Sequence, residues 1–233
     1  MIKSEEKFTP AARRLGQVES KSMVPAPVRT ARRKQETRTR EAREKLLKAT
    51  IDVLIECGYN KLSTKEVATR AGLSNGALVH HFASKSELVV AATAAVYDEA
   101  THRAQAAAHG PEALKDPINK FIDHCASVYF DWPFVAALEI VVVARTDPEL
   151  MSRIGPVIQD YRASTDEAWI GVLKNLGVSR PKAEHILSMT LNLVRGMALG
   201  EMWGVDPARH KRELAEWTNY AKQTLMPRRK GSD

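Results

Sequence analysis

The chain has 233 residues, 44% hydrophobic and 27% charged, with 12 Gly and 11 Pro, a balance that suits folded domains and excludes disorder of the whole. Two cysteines, Cys57 and Cys125, cannot supply a disulfide framework or the ligands of a structural zinc, and both read as small core residues in a reducing cytoplasm. No run reaches the ~20 apolar residues of a membrane span, and the N-terminus lacks an apolar signal core. The net charge of +7 is lopsided: residues 1–85 hold 18 Lys+Arg against 9 Asp+Glu, whereas residues 86–233 hold 17 against 19. A basic front half that meets a polyanion is one reading, and a solvated surface with a charged tail is the other.

Residues 1–36 carry Pro10, Pro25 and Pro27 and a basic cluster, Arg29, Arg32, Arg33 and Lys34, but few large apolar residues. They read as a disordered basic arm. Its arginines either follow DNA or belong to a passive tail, or Met23 is the true start. From Thr37 the recurrence of Leu47, Thr50, Ile51, Leu54 and Ile55 predicts a helix that Gly58 ends. Ser63-Thr64-Lys65-Glu66 fits a capping box opening a helix through Ala71, and Gly72 breaks it. Ser74 then caps Asn75 to His81, and Ser84, with Glu87 three residues on, caps the next helix. A helix of about two turns is unstable alone, so Asn75 to His81 must rest on Leu78 and Phe82 packed against Ile51, Leu54, Val67 and Ala68. Residues 37–84 are the expected head.

The remainder reads as helices at 85–108, 112–131, 134–145, 148–176, 180–203 and 207–225, with no sustained period-2 pattern, phosphate loop or internal repeat. In 112–131, Leu114, Ile118, Phe121, Ile122, Cys125 and Tyr129 share one stripe. The expected fold is all-α with about nine helices: a second domain over 85–226 and a basic tail at 227–233.

Helix, glycine-centred turn and short second helix form the geometry that sends one helix end into a major groove. Thr64 to Val67, Ala71-Gly72-Leu73-Ser74, Gly76-Ala77-Leu78, His80-His81-Phe82 and Ser84-Lys85-Ser86-Glu87-Leu88 lie within residues 38–96, which resemble the tetracycline-repressor (TetR) family. Gly72 tolerates a positive φ, small Gly76 and Ala77 permit close approach to bases, and Asn75 offers both a donor and an acceptor. The resemblance implies that Thr64, His80 and Lys85 contact phosphate; base specificity is expected to concentrate on Asn75, Gly76 and Ala77, on the DNA-binding helix that Ser74 caps. Val79 stands where the family usually has an aromatic residue; valine cannot bond a phosphate but can touch a thymine methyl. His80 and His81 point about 100° apart on a helix, which argues against a shared metal. No metal, cofactor or catalytic set is expected.

Residues 186–202 carry an apolar arc of roughly 220°, wider than one core requires. Ile186, Met189, Leu193 and Met197 lie on one side, and Leu187, Leu191, Val194, Ala198 and Met202 on another. Gly196 and Gly200 permit close helix approach, and Leu214, Trp217, Ala221 and Leu225 add a row on the last helix. An isologous homodimer through a four-helix bundle is expected from this surface and from the resemblance. The alternative buries both faces within one chain, and Glu201 lies inside the arc.

The resemblance also implies an inducer pocket between central helices, for which Trp132, Phe134, Leu138, Glu139, Tyr161, Trp169 and Met189 are candidates, each with core packing as the competing reading. Glu139, in an apolar run, needs a counter-group such as Arg145 or Arg195, or serves as a polar anchor for a ligand. The expected function is a sequence-specific transcription regulator, a repressor released from a palindromic operator by a small molecule. An architectural DNA-binding protein and an all-α enzyme are the alternatives; no nucleophile–base pair or metal-ligand spacing supports the enzyme.

Overall fold

The computed structural model describes residues 28–130 and 134–225. Contacts divide the chain between Arg38 and Thr39. In the first unit, helix α1 (Val28–Lys61) begins at Val28, ahead of the expected start at Thr37. After Pro27 the chain consists mostly of good helix formers, and the Arg32–Glu36 pair at 2.9 Å and the Thr37 Oγ1 bond to the Arg33 carbonyl join successive turns. The rest of the arm and the tail at 227–233 lie outside the described residues.

The second unit, from Thr39, contains only helices among the described residues: the rest of α1, α2 (Thr64–Arg70), α3 (Asn75–His81), α4 (Lys85–His109), α5 (Pro111–Lys115), α6 (Pro117–Tyr129), α7 (Phe134–Ala144), α8 (Pro148–Asn175), α9 (Arg180–Glu201) and α10 (Pro207–Leu225). Ten helices replace the expected nine because the 112–131 run breaks at Asp116 and Pro117. Proline has no N–H to continue the ladder and keeps the preceding residue out of the helical region. Asp116 sits at φ −144°, and its carboxylate receives Asn119 Nδ2 at 2.6 Å and Lys222 Nζ of α10 at 2.9 Å. Leu114, cut off from its expected stripe, is half exposed.

Two apolar clusters organise this unit. The first joins Leu46, Ala49, Val53 and Leu54 of α1 to Val67, Ala68, Leu78 and Phe82, and continues through Leu88 and Val89 of α4 to Ala136 and Ile140 of α7 and Leu150 and Ile154 of α8. The buried face of α1 is thus turned about one residue from the expected stripe: Ile55 is exposed and Leu47 and Ile51 are half-buried. Buried Thr50 satisfies its hydroxyl on the Leu46 carbonyl at 2.7 Å. Cys57 is exposed, contrary to expectation, whereas Cys125 is buried.

The second cluster packs Phe121, Trp169, Leu173, Ile186, Leu191 and Val194 with Ala221 and Leu225 of α10. Both rows of α9 contribute to burial within the chain, yet Met189 and Met202, one from each row, stay exposed. A β-carbon on Gly200 would stand 3.2 Å from His210 Nε2, so this glycine serves the approach of α10 in the same chain, whereas Gly196 faces open space.

Candidate nucleic-acid interface and internal cavity

The head is assembled from local capping bonds. Ser63 Oγ accepts from Glu66 N at 3.1 Å to open α2, while the Glu66 carboxylate lies 3.4 Å from Arg70 Nη2 rather than closing the expected box. Arg70 also holds Glu56 of α1 at 2.7 Å, tying α2 to α1. Gly72, at φ +68°, makes the turn, and the Leu73 N–H returns to the Ala68 carbonyl at 2.9 Å. Ser74 Oγ accepts from Ala77 N at 3.1 Å and opens α3.

Within α3 only Leu78 is buried. Asn75, Gly76, Val79 and His80 are exposed together with the capping Ser74, while Ala77 and, on α2, Thr64 are half-buried. The expected contact residues of this helix are therefore displayed together. His81 is half-buried, and burial first, then the charges of His80 and Arg43, hold its pKa below the usual histidine value.

Lys85 is engaged within the head. Its Nζ donates to the Tyr59 carbonyl at 2.5 Å and lies 4.4 Å above the Tyr59 ring. Desolvation lowers its pKa, opposed by the Glu139 carboxylate. In this structure its ammonium is turned into the head rather than offered to a phosphate.

A cavity of about 360 Å³ opens between α4, α6, α7, α8 and α9. Of the candidate pocket residues, Phe134, Leu138 and Tyr161 line it. Trp169 does not: it is fully buried in the second cluster, with its ring 5.4 Å from Phe121. Met189 points away to the surface, 45% exposed. Glu139 lies on another face of α7 and accepts the Tyr59 N–H at 2.8 Å, so neither expected arginine is its partner. Trp132 lies outside the described residues.

The polar residues of this cavity were missed in the sequence. Tyr97, Tyr129, Arg162, Ser188, Asn192 and Arg195 all reach its wall. Polar residues on amphipathic helices read as solvent-facing; the available signal was Arg162 paired with Asp166 one turn on, at 2.9 Å. Arg162 Nη1 is buried with no hydrogen-bond partner among the described residues. Burial pushes the Tyr97 phenol up to about 12 and raises Tyr161 further, so both remain neutral donors. Among the described residues, no group of three or more His, Cys, Asp or Glu side chains is placed to hold a metal ion, and no single helix is long and apolar enough to cross a membrane.

Residues 46–92 match the model for bacterial regulatory proteins of the tetR family. The chain is 35% identical over 181 residues to the HTH-type transcriptional regulator CymR of Pseudomonas putida, an alignment covering 78% of this chain and 89% of that protein. The fold is similar to a transcriptional regulator from a Rhodococcus species, with TM-score 0.62 and 25% identity over 78% of this chain and 96% of that one. A TetR-family structure from Mesorhizobium loti aligns with TM-score 0.65 at 18% identity, over 81% of this chain and 96% of that one.

Proposed function

Because the chain belongs to the tetR family of bacterial regulatory proteins, we propose that α3 is its reading helix and that a small anion with an apolar body releases it from a two-fold symmetric operator. The protein is a DNA-binding transcriptional regulator, and regulators of this family bind DNA and act as dimers. The proposed division is a head over 37–84 and an effector and dimerisation part over 85–226, acting in the cytoplasm as a repressor. The observation that carries this is the exposed face of α3, where Ser74, Asn75, Gly76, Val79 and His80 stand together on a helix held from behind by Leu78. Asn75 would read a base edge, Ala77 and Val79 would meet thymine methyls, and Thr64 and His80 would fix the backbone. Lys85 would join them only after leaving Tyr59.

For the dimer, Met189 and Gly196 are seven residues apart on one side of α9 and both exposed; Trp203, just beyond the helix, is 70% exposed, and Tyr220 of α10 is exposed as well. Such an apolar surface fits an isologous four-helix bundle made by α9 and α10 of each copy. Sedimentation should show a dimer at micromolar concentration, and Met189→Glu a monomer.

For the effector, the aromatic walls supplied by Tyr97, Tyr129, Phe134 and Tyr161 suit a ring or chain, and the unpartnered Arg162 nitrogen suits an acceptor carrying negative charge. Release requires the ligand to favour the state whose heads no longer match the operator, by its differential affinity and no more. The test is to select an operator from random duplexes and footprint it, then titrate benzoate, phenylacetate and octanoate against their amides. A two-fold symmetric footprint, weakened by a carboxylate but not by its amide, is expected. Binding no tighter than to competitor DNA would defeat the regulator reading; equal effects of acid and amide would defeat the anionic ligand.

A further inference from the structure

We propose that Glu139 is a positioning residue for DNA reading: from α7, the helix that walls the cavity, it grips the Gly58–Tyr59 turn and so sets the orientation of the head. The inference rests on the reading of α3 as the element that meets the operator. Gly58 interrupts α1 with φ +75° and ψ 174°, so the chain turns there on its way to α2 and carries no side chain. A β-carbon at Gly58 would stand 2.7 Å from both carboxylate oxygens of Glu139, which shows how completely the carboxylate occupies that space. Beside it, Glu139 Oε1 accepts the Tyr59 N–H at 2.8 Å, and Lys85 Nζ donates to the Tyr59 carbonyl at 2.5 Å. Both polar groups of one backbone residue are thus held by side chains from elsewhere, one on α7 and one at the start of α4.

Two consequences follow from the placement. Helix α7 presents Phe134, Leu138 and Val141 to the cavity and Glu139 to the head, so any shift of α7 moves the grip on Tyr59. The same helix adds Ala136 and Ile140 to the apolar cluster that contains Leu78 of α3, so the bond and the packing act on the same body. A carboxylate suits the position because it is a stronger acceptor than a neutral group and lies near the Lys85 ammonium.

The experiment uses the full chain and an operator selected as above, together with versions whose half-sites are moved apart or together by one base pair. Glu139→Ala should speed exchange of the Tyr59 amide and reduce discrimination against the altered spacings, each by on the order of tenfold, the scale of one charge-assisted hydrogen bond. Affinity for competitor DNA should hold, because it follows phosphate charge. Gly58→Ala should show at least this loss, because it both displaces the carboxylate and must hold φ +75°, whereas Glu139→Gln, which keeps an acceptor for Tyr59, should retain most of the wild-type discrimination. Unchanged spacing discrimination in Glu139→Ala would overturn the proposal, as would equal weakening toward operator and competitor, the signature of a merely unfolded fraction. If the wild-type chain selects no operator, the DNA-reading assignment itself fails, while Tyr59 exchange still reports whether the grip exists.

Discussion

Trp217 of α10 donates its indole N–H to Thr190 Oγ1 of α9 at 2.9 Å, and Thr190 donates in turn to the Ile186 carbonyl at 2.8 Å. The fully buried hydroxyl thereby locks the two helices proposed to form the dimer surface. Trp217→Phe keeps most of the apolar contact and leaves the Thr190 oxygen one donor short. A loss of about 1 kcal/mol is expected, read from the urea midpoint at fixed protein concentration.

The start of α3 depends on two local devices. Ser74→Ala removes the cap from a seven-residue helix and is expected to cost about 1 kcal/mol. Gly72→Ala meets no atom within 4 Å but must hold φ +68°, so about 1–2 kcal/mol is expected from backbone conformation alone. Chemical denaturation of the two variants separates the effects, and a neutral Gly72→Ala would show that the turn relaxes.

Asn75 is exposed at the first position of α3. Asn75→Ala is therefore expected to leave stability within about 0.5 kcal/mol. It should weaken discrimination at one base pair of each half-site by about 1–3 kcal/mol. Competition with singly substituted operators measures this; a uniform loss across all positions would mean that Asn75 contacts backbone instead.

Acid should act on the second cluster through His124. Burial, assisted by the charge of Arg103, pushes its pKa down to about 4, and its ring stacks on Trp169 with centroids 6.4 Å apart. The neutral form is the one that fits, so between the unfolded value near 6.5 and about 4 the unfolded chain binds the extra proton. Stability should be full above that window and fall by about 3 kcal/mol as pH drops through it. His124→Phe keeps an aromatic ring beside Trp169 and should flatten that part of the urea-midpoint profile; an unchanged slope would place the titration elsewhere.

The turns and caps of the head were legible in the sequence because their signals are local. The glycine turn and the serine caps at 63, 74 and 84 act within four residues of themselves, and each appears where the sequence placed it. The break at Asp116 is equally local, since Pro117 forbids a continuous helix, although the apolar stripe runs across it in the sequence. The α1 face was misplaced by one residue because Leu46 and Leu47 both suit a core, and periodicity alone cannot choose the centre of an arc.

The amino-acid sequence by itself determined where the chain turns, which short helix stands forward and what chemistry that helix carries, because capping bonds and backbone preferences are short-range. Only the tertiary structure decided what the long helices enclose. Arg162, Ser188 and Asn192 share a wall because α8 and α9 converge there, and Glu139 finds the Tyr59 amide 80 residues away. A helical pattern records that a face is apolar or polar; the partner of that face is fixed only when several helices pack at once, each limiting where the others can lie.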